Sequence, residues 1–220
     1  ITVNSTGLVT GIAAQEAGIL NYTANTLITT INNYGVIQGS SAIENSGGTI
    51  GTINNFATGV IAGYDYAGAG GPTPSWGSGI ANYVAYDNSW NVIAGSGAIN
   101  TINNSGQILG DTGSTGAGIN NQGTIGTINN TDNGAIKGGP GGNGIDNSGT
   151  ITTIVNTGNA TILGGTGGYG INNSGVITNL SNAQGGTATH SAVGNALTLT
   201  GALPVNYNII ISSGSHYGQL

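Results

Sequence analysis

The chain has no cysteine, no methionine, no arginine, a single lysine (Lys137) and four prolines in 220 residues. Without cysteine, neither a disulfide nor a thiolate zinc centre can form. A lone cation cannot neutralise a run of phosphates, which argues against nucleic acid and against anionic lipid headgroups as partners. Charged residues make up 4 % of the chain, against roughly 25 % in an average soluble domain. The acids are Glu16, Glu44, Asp65, Asp87, Asp111, Asp132 and Asp146, and the formal net charge is −6. No apolar run approaches the ~18 residues of a membrane-spanning helix. No signal-like segment opens the sequence, so the expectation is that one was removed or that the chain is a piece of something longer.

What is present is glycine, at 44 residues, with asparagine, threonine, serine and isoleucine also over-used. Such a composition can be disordered, but disordered chains are poor in β-branched residues. Here the isoleucines are regularly placed, which points to a repeat. The clearest copies begin at Ile119, Ile145 and Ile171, a spacing of 26 residues. Each copy holds three apolar groups. Group a contains Ile19, Ile43, Ile80, Ile119, Ile145 and Ile171. Group b is a pair three residues apart: Ile28/Ile31, Ile50/Ile53, Ile99/Ile102, Ile125/Ile128, Ile151/Ile154 and Ile177/Leu180. Group c contains Ile37, Ile61, Ile108, Ile136 and Ile162.

Polar columns follow the same register. Two residues after each a position stand Asn21, Asn45, Asn82, Asn121, Asn147 and Asn173. Two after the second b position stand Asn33, Asn55, Asn104, Asn130, Asn156 and Asn182. Two after c stand Gly39, Gly63, Gly110, Gly138 and Gly164. Side chains of a strand alternate, so an Asn two residues after an inward Ile also points inward, or sits at a corner. At a corner Asn tolerates a left-handed backbone and bonds unpaired main-chain groups, and stacked copies bond one another. Glycine suits a corner that needs positive φ. Three short strands and three corners per turn predict an all-β fold, a right-handed parallel β-helix of six to seven turns. Helical periodicity and long hairpin-linked strands are both missing.

Residues 1–182 read as the repeats, with an aromatic insertion near 62–95, and 183–220 as C-terminal strands that cap the rod or join it to a neighbour or a barrel. Val3 aligns with the second b position and Val9 with c, so the chain enters the helix in mid-turn. Turn length varies mainly at the corner between c and a. The run from Tyr83 to Gly95 reads either as a loop or as an extra turn, with Tyr83, Tyr86 and Asn88 in b places and Ile93 and Gly95 in c places. Half of the aromatic residues lie between positions 64 and 90: Tyr64, Tyr66, Trp76, Tyr83, Tyr86 and Trp90. They form a candidate interaction patch, since aromatics anchor protein contacts and sugar faces. The alternative, and the more ordinary reading, is a loop folded back to cover the rod's apolar side. Val3, Val9, Val205, Tyr207, Ile209 and Ile211 are candidate assembly ends, because strands without a neighbour leave main-chain groups unpaired.

Reactive constellations are not apparent. The seven acids are scattered, and no two occupy one column on adjacent turns. His190 and His216 have no nearby acid or nucleophile pattern. The glycine-and-aspartate calcium nonapeptide is not met; GGPGGNGID comes nearest. These features point to a non-enzymatic protein without cofactor or metal. The INNSG…ITTI…NNGAIxG repeat, followed by LPVNYNIIISS and YGQL, resembles bacterial autotransporter passengers whose Gly/Asn/Ile-rich β-helix precedes an outer-membrane barrel. That resemblance implies display at the cell surface or release outside the cell, with roles in adhesion, aggregation or biofilm. Partners would be a host-cell or neighbouring-cell surface, a glycan, or copies of the chain itself. Contact with the outer membrane would come only through a barrel that this sequence does not contain. Two alternatives are a subunit of a head-to-tail fibre and an ice-binding solenoid. The second rests on the column Thr30, Thr52, Thr101, Thr127 and Thr153, which fails at Asn179.

Overall fold

A computed structural model describes residues 1–11, 16–64, 77–93, 95–113, 115–185, 196–213 and 216–220, the last segment without the His216 side chain. The described residues form a β-solenoid of about seven turns, with three strands per turn in three parallel sheets. The a sheet has seven strands, Ile19–Tyr22 through Leu199–Gly201; the b sheet has eight, Thr2–Val3 through Asn206–Ile209; the c sheet has six, Leu8–Thr10 through Thr161–Leu163. Registers pair like with like. Ile119 lies against Ile80 and Ile145, Ile128 against Ile102 and Ile154, and Ile136 against Ile108 and Ile162.

The isoleucine columns fill the interior and are almost entirely buried. A β-branched side chain has few rotamers to lose and packs well on an identical neighbour one strand spacing away. Each such burial contributes roughly 1.5–3 kcal/mol. The b strands carry two inward residues three apart because the strand bends between them. At Gly51 and Gly126 the ladder register skips a residue, and the outward face widens by one position.

Both Asn columns are buried amide ladders. The Nδ2 of each residue from Asn21 to Asn147 donates to the Oδ1 of the next in its column, at 2.7–2.8 Å. The column from Asn33 to Asn182 is built the same way, at 2.8–3.0 Å. The same amides also reach corner carbonyls, such as Asn45 to Ala98 and Asn130 to Thr161. None of these asparagines has a left-handed backbone; among the described residues, those other than glycine with positive φ are Thr23, Asn25, Trp90 and Asp132. The Asn columns therefore act through their side chains alone.

The glycine corner also differs from expectation. Gly39, Gly63, Gly110, Gly138 and Gly164 do not have positive φ. They are required because main chain passes too close for a side chain. A Cβ on Gly63 would run into the Gly77 carbonyl, and one on Gly110 into the Gly116 carbonyl. Two other expectations are corrected. Val3 pairs with Asn33 rather than with the second b position, so it plugs the top of an amide column, while Val9 pairs with Ile37 as expected. Residues 84–97 are an excursion and not an extra turn, because Ala98 pairs directly with Thr49 of the preceding b strand. Long insertions therefore leave two corners, c to a and a to b.

The solenoid does not stop at residue 182. Leu199–Gly201 extends the a sheet and Asn206–Ile209 extends the b sheet. The c sheet ends on a side chain. Gln184 is buried, its Oε1 accepts the Ile162 amide at 2.7 Å, and its Nε2 donates to the Ile162 carbonyl at 3.3 Å. One primary amide thus replaces a bridge of strand pairing. Ile211–Ser213 and His216–Tyr217 then form an antiparallel hairpin.

Asn147→Ala and Asn130→Ala, in middle turns, are expected to lower stability by roughly 1–3 kcal/mol, the cost of stranding buried polar partners. Asn120, which points outward between the Ala81 and Asp146 positions and makes none of these bonds, should tolerate alanine at a cost under about 0.5 kcal/mol. Denaturant unfolding of the variants measures the difference; equal losses would contradict the inward assignment.

Candidate functional site

Among the described residues, the most exposed aromatic feature is the excursion between the strand Ser78–Tyr83 and the strand Ala98–Asn104. It is a small hairpin with an antiparallel bridge between Tyr86 and Val92. Its base is tied by Ser96, whose Oγ accepts the Ala85 amide at 2.8 Å and donates to the Ile93 carbonyl at 2.6 Å. Gly97, at φ +68°, turns the chain back into the b sheet. The tip is organised by Asp87. Its Oδ1 accepts the amides of Ser89 at 2.8 Å and Asn91 at 3.0 Å, and its carbonyl accepts that of Trp90. The Asn91 and Ser89 amides hold the Asp87 carboxyl below the usual aspartate value, as hydrogen bonds to the ionised form do.

Trp90 crowns the tip, 84 % exposed and at φ +61°. A bulky residue in the left-handed region costs on the order of 1–3 kcal/mol and persists only where its surroundings impose it. The Tyr86 and Trp90 rings are tilted by 53°, with centroids 6.5 Å apart. The structure thus brings together two members of the aromatic set. Tyr83 is half-buried at the root of the excursion, and Tyr64 stands exposed where the other insertion leaves the c–a corner. Tyr66 and Trp76 lie outside the described residues.

Other candidate positions are placed as follows. Val3 is buried and Val9 half-buried, each paired within the chain. Tyr207 packs on the core opposite Leu180, whereas Val205, Ile209 and Ile211 are exposed. The run 205–211 therefore does not lack a partner, because the strand Asn206–Ile209 pairs with the strand Val176–Asn182. The threonines from Thr30 to Thr153 stand in register on the outer b face, half-buried. Beside them runs an outward ladder not anticipated from the repeat: Asn54 donates to Asn32, Asn103 to Asn54 and Asn129 to Asn103, at 2.8–2.9 Å. It could have been read from the doubled Asn-Asn in four of the b strands. A parallel stack of Tyr34 on Phe56, with centroids 4.1 Å apart, was equally unanticipated.

Two carboxylates outside the hairpin are partly or wholly withdrawn from water. Glu44 is pushed above the ordinary glutamate range by burial, against an opposing bond from Ser46. Asp111 is buried with no hydrogen-bond partner for Oδ2. Among the described residues, no three His, Asp or Glu side chains gather at one place. Comparison with known family models, curated proteins and solved structures finds no match to this chain.

The folded-state value of Asp87 is depressed, so its ordering of the tip is present above the ordinary aspartate value and is lost as pH falls through the lower one. In a Trp76→Phe background, Trp90 fluorescence anisotropy should stay constant down to the ordinary aspartate range and fall below it. Asp87→Ala should give the low value already at pH 7. Anisotropy indifferent to both changes would show that Asp87 does not hold the tip.

Proposed function

We propose that this chain is a segment of a non-enzymatic, surface-displayed or released β-solenoid stalk that makes adhesive contacts through the Trp90 hairpin. The observation that carries this reading is the hairpin itself. A tryptophan in a strained conformation is held almost fully in water by a dedicated network of hydrogen bonds, at a corner of regularly stacked turns. Exposed aromatics that are rigidly presented are the anchors of contact surfaces. The resemblance of the repeat and of the LPVNYNIIISS stretch to autotransporter passengers supports display outside a bacterial cell. It also supports a role in adhesion, aggregation or biofilm, with a cell surface or a glycan as partner. Assembly of copies is the second reading, favoured by the exposed apolar side chains Leu203, Val205, Ile209 and Ile211 in the last turn.

Beads coated with the protein and offered to bacterial and epithelial cells test the first reading. Adhesion is expected with the wild type and is expected to drop about tenfold or more with Trp90→Ala, as for an interface anchor. Unchanged adhesion by that variant, or none by the wild type, overturns the hairpin reading. Negative-stain images of the same preparation distinguish rods from fibres.

A further inference from the structure

A second surface, at the other corner of the solenoid, carries an inference independent of the Trp90 reading. Three consecutive c strands end side by side, with Leu109, Lys137 and Leu163 in one register. Together with the loops that follow each strand they enclose a groove of about 570 Å3, within the range of roughly 300–1,000 Å3 typical of small-ligand sites. Leu109, Leu163 and Pro140 supply apolar wall, and Thr112 and Thr166 supply hydroxyls on the turns either side of Lys137. Lys137 is exposed and has no carboxylate partner among the described residues. Four glycine amides of the groove are committed within the solenoid: Gly110 to Lys137, Gly138 to Leu163, Gly139 to Gly116 and Gly165 to Gly142, at 2.7–3.0 Å. Among the side chains that line the groove, polar recognition falls to the ammonium and the two hydroxyls.

The charge pattern selects the ligand. Lys137 is the only cationic side chain in a chain of net charge −6, so the groove is the single place where an anion meets an attractive side chain. A lone ammonium is a point charge that balances one negative charge, and with no second cation beside it a doubly charged phosphate monoester would keep one charge unpaired. It matches one carboxylate. Hydroxyls on both sides match ring hydroxyls, and leucine and proline walls match the C–H face of a sugar. Asp111 sits between two lining residues in sequence, but it is buried and does not line the groove. We propose that this groove is a binding site for carboxylated saccharides, with Lys137 holding the carboxylate and Thr112 and Thr166 the ring hydroxyls.

The probe is D-glucuronic acid, titrated into isotope-labelled protein while the amide resonances of Gly138, Gly139, Gly164 and Gly165 are followed. D-Glucose and acetate are the controls. Saturable shifts confined to these glycines are expected with glucuronic acid. Glucose and acetate are each expected to bind at least about tenfold more weakly, as is glucuronic acid to Lys137→Gln. Lys137→Arg should retain binding, and Trp90→Ala should leave it unchanged, which separates this site from the hairpin. Thermal melts of the lysine variants, altered at an exposed position, check that the fold is intact. The proposal is overturned if glucuronic acid gives no saturable shift, if Lys137→Gln binds like the wild type, or if acetate binds as tightly as the sugar acid.

Discussion

A parallel solenoid must supply hydrogen bonds at its corners, and here the buried asparagine amide supplies them. Where the chain bends between sheets, carbonyl groups leave the strand ladders and would be stranded without a donor. Each corner Asn has two amide hydrogens and a carbonyl. One hydrogen bond goes to the next Asn, and others reach corner carbonyls such as that of Ala98 or Thr161. Because every amide in a column points the same way, neighbouring bonds polarise one another. The isoleucine columns provide most of the driving force for collapse, but apolar packing has no direction. The amide columns fix which residue lies over which, and so set the register of all three sheets.

That arrangement decides where variation is tolerated. The ladder at the a–b corner connects Asn45 to Asn82 and Asn82 to Asn121 at 2.8 Å although the excursion 84–97 leaves the same corner. Both described ends of the insertions, Gly77 at φ +91° and Gly97 at φ +68°, are left-handed glycines placed just before a strand resumes. The rod thus closes beneath its loops, and the loops are free to differ. The Trp90 hairpin and the lysine groove both occupy corners, one built by insertion and the other by short loops stacked on consecutive turns.

The last turn shows how a ladder ends. Asn173 donates to the Ala202 carbonyl where Gly201 has replaced the next Asn. Asn182 donates to the carbonyls of Gln184 and Gln219. The Gln184 side chain fills the place of a missing c strand. Polar groups left by the fading repeat are satisfied by main-chain carbonyls of the last turn and by the Gln184 side chain, in keeping with the rule that buried polar groups find partners.

Periodicity made much of this legible. Isoleucine every 26 residues, followed at fixed offsets by asparagine, specified three strands per turn, the inward faces and both amide columns, because side-chain alternation depends only on local backbone geometry. Local signals misled where a residue type has two uses. The corner glycines looked like positive-φ positions but are required by the approach of the Gly77 and Gly116 carbonyls, and those contacts exist only once the turns stack. The Tyr83–Gly95 run had spacing compatible with another turn, and only the pairing of Ala98 with Thr49 showed that it leaves the rod. Nor could sequence alone place Leu109, Lys137 and Leu163 around one groove or raise Trp90 on a hairpin tip. Residues 26 or more apart become neighbours through strand stacking, so the sequence by itself determined the columns, and the tertiary structure decided what the corners between them present to solvent.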